Sequence, residues 1–241
     1  MKVIRGETPI EVPHLDGNIK AIHPFFRGNY FNLANKIPSE QRPNMAETVS
    51  LIYDAYKNPE DDRGISKEIK SIMKKGLFYT FDGILYLPRE GILFQSNPEF
   101  SKGAKTADGL IMDKNNLISK LGSKEEKGIV YSNDGSIRFL KGYNFKIEFQ
   151  GSSDIVKNPF AISLAGQEGA EKLAYIVDQY KLNSYLSSII NPSGFFKRVA
   201  GVYSDWNHDW LDVDGNNRGS VDIGCSFRVV RPQKNSTGNQ C

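Results

Sequence analysis

The sequence predicts an α+β fold, a mixed and mostly antiparallel sheet with two or more flanking helices. Three observations carry this expectation. Apolar residues recur at helical spacing over 45–57, 66–75 and 165–180. Between 77 and 149 the apolar period drops to two, as in half-buried strands. Asn133-Asp134-Gly135, between two such runs, is a hairpin signal.

Taken in order, residues 1–44 hold Pro9, Pro13, Pro24, Pro38 and Pro43 beside Phe25, Phe26, Tyr30 and Phe31. This reads as an extended N-terminal arm packed on the domain, because disordered segments are poor in aromatics. The domain itself is expected over 45–231, followed by a flexible polar tail, 232–241. In the first helix Met45, Val49, Ile52 and Tyr56 share a face, and Asn58-Pro59 stops it. In the second, Ser66 is the expected N-cap and Gly76 the end. Short strands are expected at 77–81, 84–87 and 92–94, with turns at Asp82-Gly83 and 88–91. Further strands are expected at 128–131, 137–140 and 143–149, with a short helix at 117–121. The strongest helix is 165–180, where Leu173, Val177 and Tyr180 align. A short helix is expected from Asn183 to Ile190, then strands at 195–202 and 223–230, the last apolar on both faces and therefore central.

Composition excludes several functions. Lys+Arg is 31 against Asp+Glu 28, a net charge of +3 with no basic block, which argues against nucleic acid. Mean hydropathy is −0.44 and no apolar run approaches membrane-spanning length. The N-terminus has no apolar core of a secretory signal, so a cytoplasmic or virion-associated location is expected. Cys225 and Cys241 form no C-x-x-C, and His14, His23 and His208 are scattered, so no metal or cofactor is expected. Gly166-Gln167-Glu168-Gly169 could take an anion at a helix start, but the ordinary reading is a loop-to-helix turn. Asp212-Val213-Asp214-Gly215-Asn216 fails the EF-hand test: counted from Asp212, position 6 is Asn217 and position 12 is Ile223. These carboxylates leave a calcium site of another kind as an alternative to a solvated polar loop. His208, among Asp205, Asn207, Asp209 and Asp212, has the chemistry of a general base, yet no nucleophile accompanies it. Catalytic residues are therefore expected to be none.

One segment stands apart. Residues 199–230 read VAGVYSDWNHDWLDVDGNNRGSVDIGCSFRVV, with no Lys, Glu, Gln or Met. The chain holds 21, 13, 7 and 4 of these, so about six are expected in such a window. Burial does not explain the gap, because the segment is crowded with Asp and Asn. The missing residues are among those that an AAC or AAT codon cannot become by changes at its adenines. Asn, Asp, His, Tyr, Ser, Leu, Val, Ile, Phe, Gly, Arg and Cys can all be reached. Between 203 and 222 only Trp206 and Trp210 cannot.

The close, Gly224-Cys225-Ser226-Phe227-Arg228-Val229-Val230-Arg231, resembles the G-F-R-V-V-R ending of C-type-lectin-fold domains of the formylglycine-generating-enzyme type. Arg198-Val199 through Trp206 is similar to their R-V-x-x-G-x-S-W strand and loop. The same ending and Asn-derived residue set mark the variable proteins of diversity-generating retroelements. There a reverse transcriptase copies a template, mutates adenines and rewrites the 3′ end of a target gene. Gly83–Pro88, Gln95-Ser96-Asn97-Pro98 and the run 158–169 are similar to archaeal or viral members. The resemblance covers 158–231, extends through the shorter runs to 45–157, and leaves 1–44 untouched. It departs at Cys225-Ser226, which stand between the family's Gly and Phe, and the enzyme's paired cysteines are not reproduced.

The resemblance implies a C-type lectin fold and a non-enzymatic binding protein. Its diversified residues would be Tyr203, Asp205, Asn207, His208, Asp209, Leu211, Asp212, Val213, Asp214, Asn216, Asn217, Ser220, Val221 and Asp222. Their scaffold would be Trp206, Trp210, Phe227, Arg228, Val229 and Val230, with Arg218, Gly219 and Gly224 shaping the loops. Either tryptophan could instead be an exposed hot spot. Asp, Asn, Ser, Tyr and His are the adaptable contact residues of antibody loops. The face is acidic, so the expected partner is an unidentified protein or surface ligand of basic or polar character. The alternatives are an oxidase of the formylglycine-generating class and a calcium-dependent, sugar-binding lectin.

Overall fold

A computed structural model describes residues 6–15, 17–59, 64–146, 148–180, 183–187, 192–205, 210–216 and 223–232. It is a mixed α+β structure with a mostly antiparallel open sheet. The described part of the N-terminal segment is woven into that sheet rather than laid on it as an arm. Strand β1 (Thr8–Val12) pairs with β2 (Ile19–Gly28), and helix α1 (Tyr30–Lys36) follows, with Asn29 accepting the Asn32 N–H at 2.9 Å. Tyr30, Phe31, Leu33 and Ala34 are buried.

Helix α2 (Met45–Lys57) opens with a capping box. The Asn44 side chain takes the Glu47 N–H and the Glu47 carboxylate takes the Asn44 N–H, each at 2.9 Å. Helix α3 (Ile65–Lys75) starts one residue earlier than the sequence predicts. Gly64 stands at the cap in a left-handed conformation, and Ser66 instead donates to the Asn58 carbonyl at 2.9 Å.

The expected turn at Asp82-Gly83 does not form. A single buried strand, β3 (Leu77–Leu87), runs through both residues. Asp82 is fully buried and accepts from the Met45 N–H (2.6 Å), the Ser96 hydroxyl (2.8 Å) and the Arg138 guanidinium (3.1 Å). At Gly83 a Cβ would meet Met112 Sδ at 2.7 Å and Pro98 Cγ at 2.8 Å, so this glycine serves close packing.

Strand β4 (Gly91–Ser96), helix α4 (Lys114–Ser119) and strands β5 (Leu121–Glu126), β6 (Ile129–Ser132) and β7 (Ile137–Lys141) follow. The run 143–149 pairs only at β8 (Glu148–Gln150), because Tyr143 is used otherwise. Its hydroxyl lies 2.8 Å from the Leu87 carbonyl and 2.9 Å from that of Gly91, closing the β3–β4 turn. After α5 (Ser152–Ile155), helix α6 (Pro159–Tyr180) begins before the expected 165 and is broken at Gly166, φ 76°. Residues 183–187 form a strand, β9 (Asn183–Ser187), instead of the expected helix, held between β11 (Trp210–Asn216) and β8. Residues 188–190 of that expectation lie outside the described residues. Strands β10 (Phe196–Asp205) and β12 (Gly224–Val230) stand where the sequence predicts them.

The sheet order is β5-β6-β7-β4-β3-β10-β11-β9-β8, and of these pairings only β11 with β9 is parallel. β12 lies between β2, which it pairs antiparallel, and β3, which it meets at Cys225 and Phe78. One core packs α2, α3 and α6 on the sheet, with Met45, Ile52, Leu173, Val202 and Phe227 among its buried residues. The other lies under α1 and α4, around Tyr30, Leu33, Tyr79, Phe81 and Leu117. Lys172 fastens α6 to its surroundings by ion-pairing Glu168 at 2.7 Å and donating to Ser50 Oγ (2.8 Å) and the Pro13 carbonyl (2.9 Å).

Asp82→Ala strands the Arg138 guanidinium, whose side chain is only 12% exposed, without its ion pair. The expected cost is about 3–5 kcal/mol, read as a lower urea midpoint at an unchanged m-value.

Candidate functional site

Strands β10, β11 and β12 carry the segment singled out by composition. β10 and β11 form an antiparallel hairpin whose register sets Tyr203 opposite Asp212, Ser204 opposite Leu211 and Val202 opposite Val213. Alternation along a strand sends neighbours to opposite sides. Ala200, Val202, Leu211 and Val213 are fully buried in the core under α2, α3 and α6. Ser204 lies on that side too, its hydroxyl 2.8 Å from the Met73 carbonyl at the end of α3. Tyr203 packs against the opposite core, and its hydroxyl donates to Asp212 Oδ2 at 2.6 Å.

The candidate residues therefore divide. Leu211 and Val213 are core residues and face no solvent. Tyr203 is half-buried, and Asp212 is 5% exposed. Asp205, Asp214 and Asn216 lie in the two strands at positions opposite Trp210, Gly201 and Val199. Asn207, His208, Asp209, Asn217, Ser220, Val221 and Asp222 lie outside the described residues, as do Trp206, Arg218 and Gly219. Among the scaffold candidates Phe227 is fully buried and Val229 nearly so. Val230, 45% exposed, is outside the core. Arg228 stacks on Phe26, with its guanidinium 5.8 Å from the ring centroid, and pairs with Glu7. Gly224 is packed against β3. The Asp212–Asn216 run, the calcium candidate, is strand and not loop, and its Asp212 carboxylate takes the Tyr203 hydroxyl. Among the described residues no three His, Cys, Asp or Glu side chains converge as a metal site would require.

Two cavities adjoin this frame. One, of about 420 Å³, is lined by Arg27, Glu68, Ser71, Ile72, Gly76 and Ile223–Cys225, at the start of β12. Burial pushes the Cys225 thiol above its ordinary value, and that suppresses the thiolate needed for nucleophilic chemistry.

The other cavity, of about 330 Å³, holds Arg42, Arg138 and Arg231 with Asn44, Asn97, Ser96, Ser136 and Asp134. Arg231 binds Glu47 through two contacts, Nε–Oε1 at 2.6 Å and Nη2–Oε2 at 2.8 Å. Arg42 donates to Asn97 Oδ1 (2.9 Å) and to the Ile37 carbonyl (3.1 Å). These three arginines lie about 90 or more residues apart in sequence, so no local pattern announces them. Asp134 accepts from the Ser132 hydroxyl (2.6 Å) and from the Ser136 N–H (3.0 Å) and hydroxyl (2.9 Å). These bonds hold its carboxyl at about 2, below the ordinary 3.8.

Comparison with protein-family models, with curated proteins and with solved structures gives no match.

A carboxyl lowered on folding contributes stability that is present above its unfolded value and disappears as pH falls through its folded value. Asp134 should therefore steepen the acid limb between pH 3.8 and about 2. In Asp134→Ala that limb should be shallower, measured as urea midpoints from pH 5 to pH 2 at constant ionic strength.

Proposed function

We propose that this chain is a non-enzymatic ligand-binding protein of C-type lectin fold, its C-terminal segment diversified by a retroelement to recognise varied partners. The observation that carries the reading is the residue set of 199–230, which lacks Lys, Glu, Gln and Met while remaining rich in Asp and Asn. The geometry around it supports the reading. β10, β11 and β12 are tied into the sheet on both sides, and their core residues are apolar and buried. Such a frame tolerates changes in side chains that leave the core alone. Pairing β12 with β2 binds the start of the described chain to its end, so the segment is anchored rather than hanging free.

The segment is acidic in composition, with five aspartates against two arginines in 199–230, and that suits a basic or polar partner. No helix among the described residues is long and apolar enough to cross a membrane. A cytoplasmic or virion-associated location fits the reading.

The deciding experiment is to sequence several kilobases around the gene. The expected result is an imperfect copy of the 199–230 coding stretch beside a reverse-transcriptase gene, differing from it at adenines. A locus without either would overturn the proposal. In the protein, replacing Asp205, Asn207, Asp209, Asp214 and Asn216 together by Ala should leave a single cooperative thermal transition, shifted by no more than about 4 °C. Loss of that transition would mean that the positions are structural.

A further inference from the structure

The cavity around Arg42, Arg138 and Arg231 stands apart from segment 199–230, and its chemistry is that of an anion site. We infer that it binds a small ligand through a carboxylate group, held by the guanidinium of Arg42 with the side chains of Asn44 and Arg138.

Two of the three arginines are matched and one is not. Arg138 ion-pairs with buried Asp82 at 3.1 Å and Arg231 with Glu47 at 2.6 Å. Arg42 donates to the Ile37 and Ala34 carbonyls and to Asn97 Oδ1, all neutral oxygens. Among the described residues no carboxylate ion-pairs with it. Its surroundings withdraw water, and that burial pushes the guanidinium below its ordinary value. The group is also held still. Its central carbon lies 5.5 Å from the ring centroid of Phe81 and 5.6 Å from that of Phe100. A half-buried cation without counter-charge is costly, and one already fixed in place loses little more on taking an anion.

The hydrogen-bonding capacity left in the cavity is that of donors. The Asn44 oxygen accepts the Glu47 N–H at 2.9 Å, so its amide nitrogen is what it has to offer. Arg138 uses Nη2 on Asp82 and Ser96 and keeps Nη1. The acceptors are already engaged: Asn97 Oδ1 by Arg42, Ser96 Oγ by Arg138, and Asp134 by Ser132 and Ser136. A ligand there must accept, and a guanidinium fork matches the two oxygens of a carboxylate. The lining also selects among anions. Asp134 and Glu40, both exposed, add negative charge that opposes a phosphate dianion more than a carboxylate monoanion. At about 330 Å³ the cavity suits a small molecule rather than a large one.

The test is thermal melting of the full-length chain at neutral pH, with acetate replacing chloride ion for ion, and with phosphate at matched ionic strength. Acetate should raise the melting temperature along a saturating curve, by about 3–6 °C at ten times its dissociation constant. Phosphate should give a smaller rise. Arg42→Lys keeps the charge and loses the fork, and should weaken acetate binding about tenfold. Asn44→Ser keeps a helix cap and loses the amide donor, so it should melt cooperatively and weaken acetate binding about threefold. Asp134→Asn should enlarge the response to phosphate. No rise with acetate, a rise that does not saturate, or one unchanged in Asn44→Ser would overturn the site. A stronger response to phosphate than to acetate in the parent, or an unchanged phosphate response in Asp134→Asn, would overturn the choice of a carboxylate.

Discussion

The carboxylate of Asp82, shut away from water in the middle of β3, gathers the parts of this fold that the sequence keeps apart. It takes the N–H of Met45 at the start of α2, the hydroxyl of Ser96 at the end of β4 and the guanidinium of Arg138 on β7. A buried charge is costly unless it is fully bonded, and one that is fully bonded admits few rearrangements. The helix start, the central strand, its neighbour β4 and the next strand, β7, are thereby held in one register. Glu47, two residues further along α2, extends the arrangement to the C-terminal strand by binding Arg231 immediately after β12. Arg42 completes it by joining the α1–α2 connection to Asn97. The layer of helices and the C-terminal strand thus have fixed positions relative to β3, on which β10 and β11 are laid.

What the sequence made legible was local. Helix α2 could be read to its ends because its apolar face and its stop at Asn58-Pro59 lie within 15 residues of one another. The β6–β7 hairpin could be read because Asn133-Asp134-Gly135 writes the turn into three residues. Asp82-Gly83 carries the same local signature, and nothing nearby distinguishes it. Its meaning lies in partners 37, 14 and 56 residues away. Residues 183–187 became a strand by pairing with two others, a choice that local periodicity does not contain. Proline misdirected the reading of 1–44. Pro9 sits in β1 at the margin of the sheet, where a missing N–H costs little.

The candidate site was legible in composition and blurred in geometry. Leu211-Asp212-Val213-Asp214 alternates apolar and acidic residues, the signature of a half-buried strand. The density of Asp and Asn around it made the run look like a polar loop. Alternation is the more physical signal, because the sheet needs one face of that run for its core whatever the other face is used for. The arginine-lined cavity had no sequence signal, since Arg42, Arg138 and Arg231 are brought together only by the completed fold.

Charge gives the segment a character that holds for the whole of it and does not depend on any one residue. Residues 199–230 carry a formal charge of −3 on a chain whose net charge is +3, so the remaining residues carry +6. Under the retroelement reading, the choice of charged residues follows from codon chemistry. Adenine changes to AAC or AAT produce Asp but never Glu, and Arg but never Lys. Long, flexible side chains lose most entropy on being held in an interface, and Lys, Glu, Gln and Met are among them. A repertoire without them is confined to compact residues and to Arg, whose planar head loses less for each hydrogen bond it makes. Their absence from 199–230 therefore matches what a fixed backbone presenting changeable contacts requires: side chains ordered cheaply on a frame that stays still.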